Sequence, residues 1–131
     1  MLYRLVSILL DIAYISAGAA AGATLRYIVS RLVPAIDGFP LGTLIVNFVG
    51  SVLLGFVLYL SFTYGLLTRE QRLLIATGFC GSLTTFSTFA YETYFLFQEG
   101  ALGLAVLNIC ANVGLCILGV LLGRLLATLV H

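Results

Sequence analysis

Residues 78–89 of this chain read GFCGSLTTFSTF, and their position is unusual for a polar stretch. Two glycines and five hydroxyl side chains stand in the middle of the third of four long apolar segments. Glycine weakens a helix, and crowded Ser and Thr hydroxyls compete for its backbone hydrogen bonds, so we predict a break in the helix here. Non-helical backbone at mid-membrane depth persists only where it is buried in protein or lines a wet cavity. The stretch is therefore the first candidate for a functional site.

The composition around this stretch is that of a membrane protein. Of the 131 residues, 62% are apolar and 8% are charged, which is too few charges to cover a soluble surface. About 20 apolar residues make one membrane-spanning helix, so the length accommodates four spans with short turns. We predict an all-α integral membrane protein of the cell membrane, with a single four-span domain over residues 1–131. The predicted spans are residues 12–33, 41–62, 73–97 and 102–129.

The arginines give only a weak signal for orientation in the membrane. An even number of spans places four of them on the side of the termini and two on the other, namely Arg4, Arg69, Arg72 and Arg124 against Arg26 and Arg31. This small bias permits insertion in both orientations. Four short helices also enclose little interior, so we predict a homo-oligomer, with an antiparallel arrangement as one possibility. The net charge of +1, with no lysine, argues against binding of nucleic acid.

Two pairs of glycines have the spacing of close helix contacts. Gly18 and Gly22 lie in the first span, and Gly119 and Gly123 lie in the fourth. Small residues four apart let a neighbouring backbone approach, although ordinary packing explains them as well. Thr68 precedes the third helix and is a predicted N-cap.

Cys80, Cys110 and Cys116 all lie in apolar runs, and the single histidine is His131. Neither the spacing of a disulfide framework nor that of a metal site is present. We interpret the cysteines as small apolar residues.

If a helix resumes after the predicted break, Thr84 and Thr88 lie four residues apart, and Phe86 and Phe89 lie three apart. One face would then carry hydroxyls and phenyl rings. Hydroxyls donate hydrogen bonds and the edge of a phenyl ring is electropositive, so both suit a small dehydrated anion. Backbone carbonyls freed by a break suit a hard cation such as sodium.

A few other polar side chains lie inside the predicted spans. Asn47 is in the second span, and Asn108 and Asn112 are four residues apart in the fourth. Each amide makes an interhelical hydrogen bond or belongs to a polar pathway. Glu92 and Arg26 are the ionisable candidates, since a charge inside a membrane is usually functional, although Arg26 could extend to the interface.

Three stretches resemble the signature sequences of the Fluc/CrcB family of fluoride channels. They are GAAAGATLRY (residues 18–27), PLGTLIVNFVGS (residues 40–51) and GFCGSLTTFSTFAYE (residues 78–92), in the order and spacing of the family. The resemblance implies an antiparallel, dual-topology homodimer with two fluoride pores. It implies passive and selective export of fluoride across the membrane.

The resemblance also implies roles for single residues. The implied fluoride pathway consists of Asn47, Phe86, Ser87, Thr88 and Phe89. Arg26 and Glu92 match supporting positions at a vestibule. Backbone carbonyls of Gly81 and Thr84 match those that hold a structural sodium ion at the centre of the dimer. Gly81 is followed by Ser82, where many family members have a second glycine, and Asn108 and Asn112 are only candidates for the polar residues of the fourth span.

Two other classes of protein fit the sequence less well. A small proton-coupled multidrug exporter needs an intramembrane carboxylate in its first span, whereas Asp11 lies at the entrance of that span and tryptophan is absent. An intramembrane enzyme needs histidines, a nucleophile with a base, or paired aspartates within the spans, and the sequence has none of these. We therefore predict a channel and not an enzyme.

Overall fold

The computed structural model describes residues 2–130, so Met1 and the only histidine, His131, lie outside the described residues. The helices are α1 (Leu2–Leu32), α2 (Leu41–Tyr64), α3 (residues 69–83), α4 (Phe86–Gln98) and α5 (Leu102–Val130). The third segment, Arg69–Gln98, consists of α3 and α4. Four segments are each long and apolar enough to cross a membrane, and within residues 2–130 no β-strand is present beyond one isolated bridge. The predicted all-α architecture with four spans is confirmed.

Local signals in the sequence set the ends of α2 and α3. Gly65 ends α2 with a φ of 65°, in the left-handed region that favours glycine. The Thr68 hydroxyl accepts from the Gln71 N–H, and the Gln71 side chain accepts from the Thr68 N–H at 2.9 Å. This capping box confirms Thr68 as the N-cap. Arg69 also forms a bidentate ion pair with Asp11, which joins the start of α3 to α1.

The paired glycines lie where helix backbones meet. A Cβ atom on Gly18 would clash with the Leu74 carbonyl oxygen, and one on Gly123 would clash with the Val52 carbonyl oxygen. α1 therefore packs closely on α3, and α5 packs closely on α2. The predicted role of these glycines in close helix contacts is confirmed.

We expect Gly123→Ala to lower the free energy of unfolding by about 1–3 kcal/mol, because the added methyl group would push α5 away from α2. Thermal unfolding of the purified protein in detergent measures this. Gly114→Ala is the matched control, since Gly114 lies in the same helix and a Cβ atom there has open space. Equal unfolding temperatures for the two variants would contradict the close packing of α2 and α5.

The third segment is irregular before it breaks. Leu73–Cys80 is π-helical and is followed by a single α-helical turn, Gly81–Leu83. Thr84 and Thr85 are extended, with ψ angles of 153° and 111°, and they separate α3 from α4. The predicted break therefore exists, but it lies at the threonines and not at the glycines. Gly78 stays helical and packs directly against the backbone of α1, where a Cβ atom would clash with the Ile15 carbonyl oxygen.

One expectation about this segment is wrong. Thr84 and Thr88 do not lie four apart on one helix, since α4 begins only at Phe86. The Thr85 hydroxyl caps α4 by accepting the Thr88 N–H, and the new helix starts at the next residue, Phe86. The hydroxyl side chains therefore lie on both sides of a bend and not along one helical face.

Candidate functional site: a polar cluster at a helix break

The break is held by a side chain from α2. The Thr85 N–H donates to Asn47 Oδ1 at 2.7 Å, and Asn47 Nδ2 donates back to the Thr85 carbonyl at 3.3 Å. The buried Asn47 amide thus pairs with both polar groups of one extended residue, as a neighbouring strand would. Backbone groups that lose their helical partners in a membrane need such a replacement.

A chain of hydrogen bonds leads from this pair into α5. Asn47 Nδ2 donates to Asn112 Oδ1 at 2.9 Å, and Asn112 Nδ2 donates to Asn108 Oδ1 at 2.9 Å. Asn108, which is fully buried, donates to Thr93 Oγ1 in α4 at 2.9 Å, and Thr93 donates to the Phe89 carbonyl. All these bonds run in one direction. The chain joins α2, α5 and α4 around the break, and it shows that the three asparagines make interhelical hydrogen bonds.

The hydroxyl groups predicted for the site lie at the start of α4. Thr85 Oγ1 donates to Thr88 Oγ1 at 3.0 Å and lies 3.5 Å from Ser87 Oγ. Thr85 is buried, Thr88 is half-buried and Ser87 is exposed. The cluster therefore extends from the protein interior to the surface of the single chain.

The two predicted phenylalanines are neighbours on α4. The ring centroids of Phe86 and Phe89 are 5.4 Å apart, and the ring planes meet at 62°, so an edge faces a ring. Phe89 is 8% exposed, whereas Phe86 is 78% exposed. One ring belongs to the interior and the other projects from the chain.

Two recesses adjoin this cluster. The first has a volume of about 250 Å³ and lies between α1, α2 and α4, and its polar lining consists of Arg26, Tyr27, Ser30, Thr43, Thr85 and Thr88. The second has a volume of about 370 Å³, and its lining includes Asn47, Ser51, Thr84, Thr85, Phe86, Phe89 and Asn112. Thr85 lines both recesses. They therefore approach each other at the break.

The two ionisable candidates are held by neighbours. Arg26 Nε donates to the Ser82 carbonyl at 3.0 Å, so the half-buried arginine joins α1 to the last turn of α3. Thr43 Oγ1 donates to Glu92 Oε1 at 2.7 Å, and Glu92 Oε2 is buried without a hydrogen-bond partner within the described residues. Arg26 lines the first recess, and Glu92 lies beside a smaller recess of about 180 Å³ next to it.

The carbonyl groups of Gly81 and Thr84 fit a hard cation. In an unbroken helix they would accept from the N–H groups of Thr85 and Thr88, four residues on. Those N–H groups donate instead to Asn47 Oδ1 and to Thr85 Oγ1. Backbone oxygens without a helical donor are the ligands that Na⁺ uses at discontinuous membrane helices.

Sequence reasoning did not select Thr43 and Thr93, and it counted Thr85 only as one of the five hydroxyl residues of the stretch. A signal for Thr43 is present in α2, where Thr43, Asn47 and Ser51 repeat at intervals of four residues. Such a spacing puts polar groups on one face of a helix. The role of Thr85 follows only from the bend itself.

The sequence profile of the family described as CrcB-like protein, Camphor Resistance (CrcB), matches residues 13–124 of the chain. The chain belongs to this family. The match includes the break, the chain of hydrogen bonds between the three asparagines, and both recesses. With its four long apolar helices, the CrcB family member is a multi-pass protein of the cell membrane.

Curated relatives carry a functional name. A protein of Methanocaldococcus jannaschii is 50% identical over 117 residues, which is 89% of this chain and 94% of that protein. One of Pyrococcus furiosus is 48% identical over 118 residues, which is 89% and 95% of the two chains, and one of Shewanella halifaxensis is 44% identical over 116 residues, which is 87% and 93%. All three are named fluoride-specific ion channel FluC.

Proposed function

We propose that the protein is a fluoride-selective ion channel that lets fluoride leave the cell passively, down its electrochemical gradient. The observation that carries this proposal is the meeting of two recesses at Thr85, among hydroxyls and phenyl rings at a broken membrane helix. The relatives named as fluoride channels support it, and they support a channel rather than an enzyme.

The proposed pathway begins in the first recess. The Arg26 charge attracts anions to this vestibule, because a cation in a cleft raises the local concentration of a diffusing anion. Arg26 is the one cationic side chain among the described residues that line this recess, so the anion meets a single cation and is not trapped by several. Glu92, whose carboxylate is bound by Thr43, has a supporting role beside this vestibule.

Beyond the vestibule, protein groups must replace the water around fluoride, because an anion without partners is very costly in hydrocarbon. The hydroxyls of Ser87 and Thr88 can donate hydrogen bonds, and the edges of Phe86 and Phe89 offer positive electrostatic potential. Asn47 lines the second recess, but both of its N–H groups already have acceptors. The hydroxyls and ring edges therefore supply most of the direct contacts in this proposal.

We further propose that two chains form an antiparallel, dual-topology homodimer with two pores. Support comes from what the single chain leaves uncovered at the break, where Gly81, Phe86 and Ser87 are exposed. Polar and non-helical backbone at this depth needs protein around it, and a second copy related by a two-fold axis would cover both breaks at once. A structural sodium ion between the carbonyls of Gly81 and Thr84 of both chains would bind the halves together.

The proposed function predicts rapid and selective fluoride efflux from liposomes that contain the purified protein. A fluoride electrode follows the efflux after a potassium ionophore is added, because potassium must leave with fluoride to prevent a membrane potential from building up. Protein-free liposomes give the background, and a chloride electrode gives the selectivity. Efflux no faster than this background, or equal passage of chloride, would contradict the proposed function.

A further inference from the structure

We propose that Asn47 and Thr85 are positioning residues for sodium, because they keep the carbonyl oxygens of Gly81 and Thr84 free of helical hydrogen bonds. The inference rests on the proposed function and deepens its sodium site. It assigns to Asn47 a structural task that differs from direct contact with fluoride.

Asn47 keeps the Gly81 carbonyl free of its helical donor. Each N–H of an α-helix donates to the carbonyl four residues earlier, so the Thr85 N–H and the Gly81 carbonyl are natural partners. Asn47 Oδ1 competes for that N–H and receives it at 2.7 Å. The same amide donates to the Thr85 carbonyl, so it holds Thr85 in the extended conformation from both sides. The Gly81 oxygen is therefore left for another partner.

The Thr84 carbonyl is kept free by a side chain of the break itself, Thr85. The Thr88 N–H would reach the Thr84 carbonyl in a continuous helix, but it donates to Thr85 Oγ1 at 3.3 Å. The Thr85 hydroxyl is the N-cap of α4, so the cap that starts the new helix also frees the Thr84 oxygen. Two separate acceptors thus release the two carbonyls.

The Asn47 amide is itself fixed before any ion arrives. Its Nδ2 donates to Asn112 Oδ1, and the residue is 8% exposed, so a rotation of the amide would leave buried polar groups unpaired. Gly50 allows close approach as well, since a Cβ atom there would clash with the Thr84 methyl group. The carbonyls are therefore preorganised for an ion, which reduces the ordering required on binding.

The test measures how sodium affects dimer stability, which is independent of fluoride transport. The full-length protein in detergent is heated in sodium chloride and in N-methyl-D-glucamine chloride, and dimer dissociation is followed by size-exclusion chromatography. We expect the dimer to survive to a higher temperature in sodium. Asn47→Leu should lose most of this difference, since the Thr85 N–H returns to the Gly81 carbonyl.

Two further variants separate the acceptor role from general damage. Asn47→Asp should keep part of the sodium-dependent difference, because a carboxyl oxygen can still accept the Thr85 N–H although the N–H groups that bind Thr85 and Asn112 are lost. Thr85→Val should lose part of it, because only the Thr84 carbonyl regains its helical donor. Ser61→Ala is the control, as Ser61 is a buried polar residue of α2 that binds Arg72 away from the break.

A full sodium-dependent difference in Asn47→Leu, or none in the unmodified protein, would overturn the inference. If Asn47→Leu does not fold, Thr85→Val provides the test. An unchanged sodium-dependent difference in dimer stability for Thr85→Val would then overturn the inference. Fluoride efflux by the unmodified protein is measured in parallel. Normal efflux without any sodium effect refutes the sodium site alone, whereas a sodium effect without efflux refutes the proposed channel alone.

Discussion

Phe86→Ile is expected to lower fluoride efflux from liposomes by about 10- to 100-fold. The ring edge provides a partner for a dehydrated anion, and hydrogen bonds to charged groups contribute about 1.5–3 kcal/mol, where each 1.4 kcal/mol changes a rate about tenfold. Isoleucine is apolar and of similar size, but it has no electropositive edge. Since Phe86 is 78% exposed in the single chain, the substitution removes little packing there beyond the contact with the Phe89 ring. Efflux falls in this prediction because the anion loses a partner along its route.

Phe95→Ile provides the matched control for this experiment. Phe95 lies on the same helix, is also exposed, and lines neither of the two recesses. We expect it to leave efflux and dimer assembly unchanged. If Phe86→Ile carries fluoride as fast as the unmodified protein, the role proposed for that ring is wrong. If both variants show the same loss of efflux, the loss comes from damage to α4 and not from removal of the Phe86 ring.

The broad architecture could be predicted because it depends on local signals. Apolar length defines the four spans, the Thr68 and Gln71 pair defines the start of α3, and the small size of Gly18 and Gly123 indicates where backbones meet. Each of these signals acts through neighbouring residues or through one bare Cα atom. The presence of a break could be predicted for the same reason, since glycines and hydroxyls weaken a helix wherever they crowd together.

The exact position of the break could not be predicted from the stretch alone. Gly78 suggests a break by its intrinsic preference, but α1 packs directly on it and keeps it helical. The chain bends instead at Thr84 and Thr85, where Asn47 reaches across from a helix that is 38 residues away in sequence. The contact between Thr43 and Glu92, which are 49 residues apart, has the same long-range origin. Both depend on how α2 packs against the third segment.

The chain of hydrogen bonds through Asn47, Asn112 and Asn108 shows what the fourth span contributes to the site. The spacing of Asn108 and Asn112 predicts one helical face, with either interhelical hydrogen bonds or a polar pathway as its role. In the structure they are hydrogen-bonded to each other, Asn47 links them to Thr85 at the break, and Thr93 links them to α4. Asn112 also lines the second recess. Among the residues of α5 that make this chain of hydrogen bonds, Asn112 therefore both supports the break and lines the proposed pathway.

Asn112→Leu is accordingly expected to lower both stability and fluoride efflux. Leucine has nearly the same size, but it removes the acceptor of one Asn47 Nδ2 hydrogen bond and leaves the buried Asn108 Oδ1 without its donor. An unpaired buried polar group costs about 1–3 kcal/mol, so we expect a lower unfolding temperature in detergent and an efflux reduced at least tenfold. Cys110→Ala, on an exposed face of α5, should change neither quantity. Normal efflux in Asn112→Leu would mean that the break keeps its shape without α5, and Asn47 alone would then suffice to hold it.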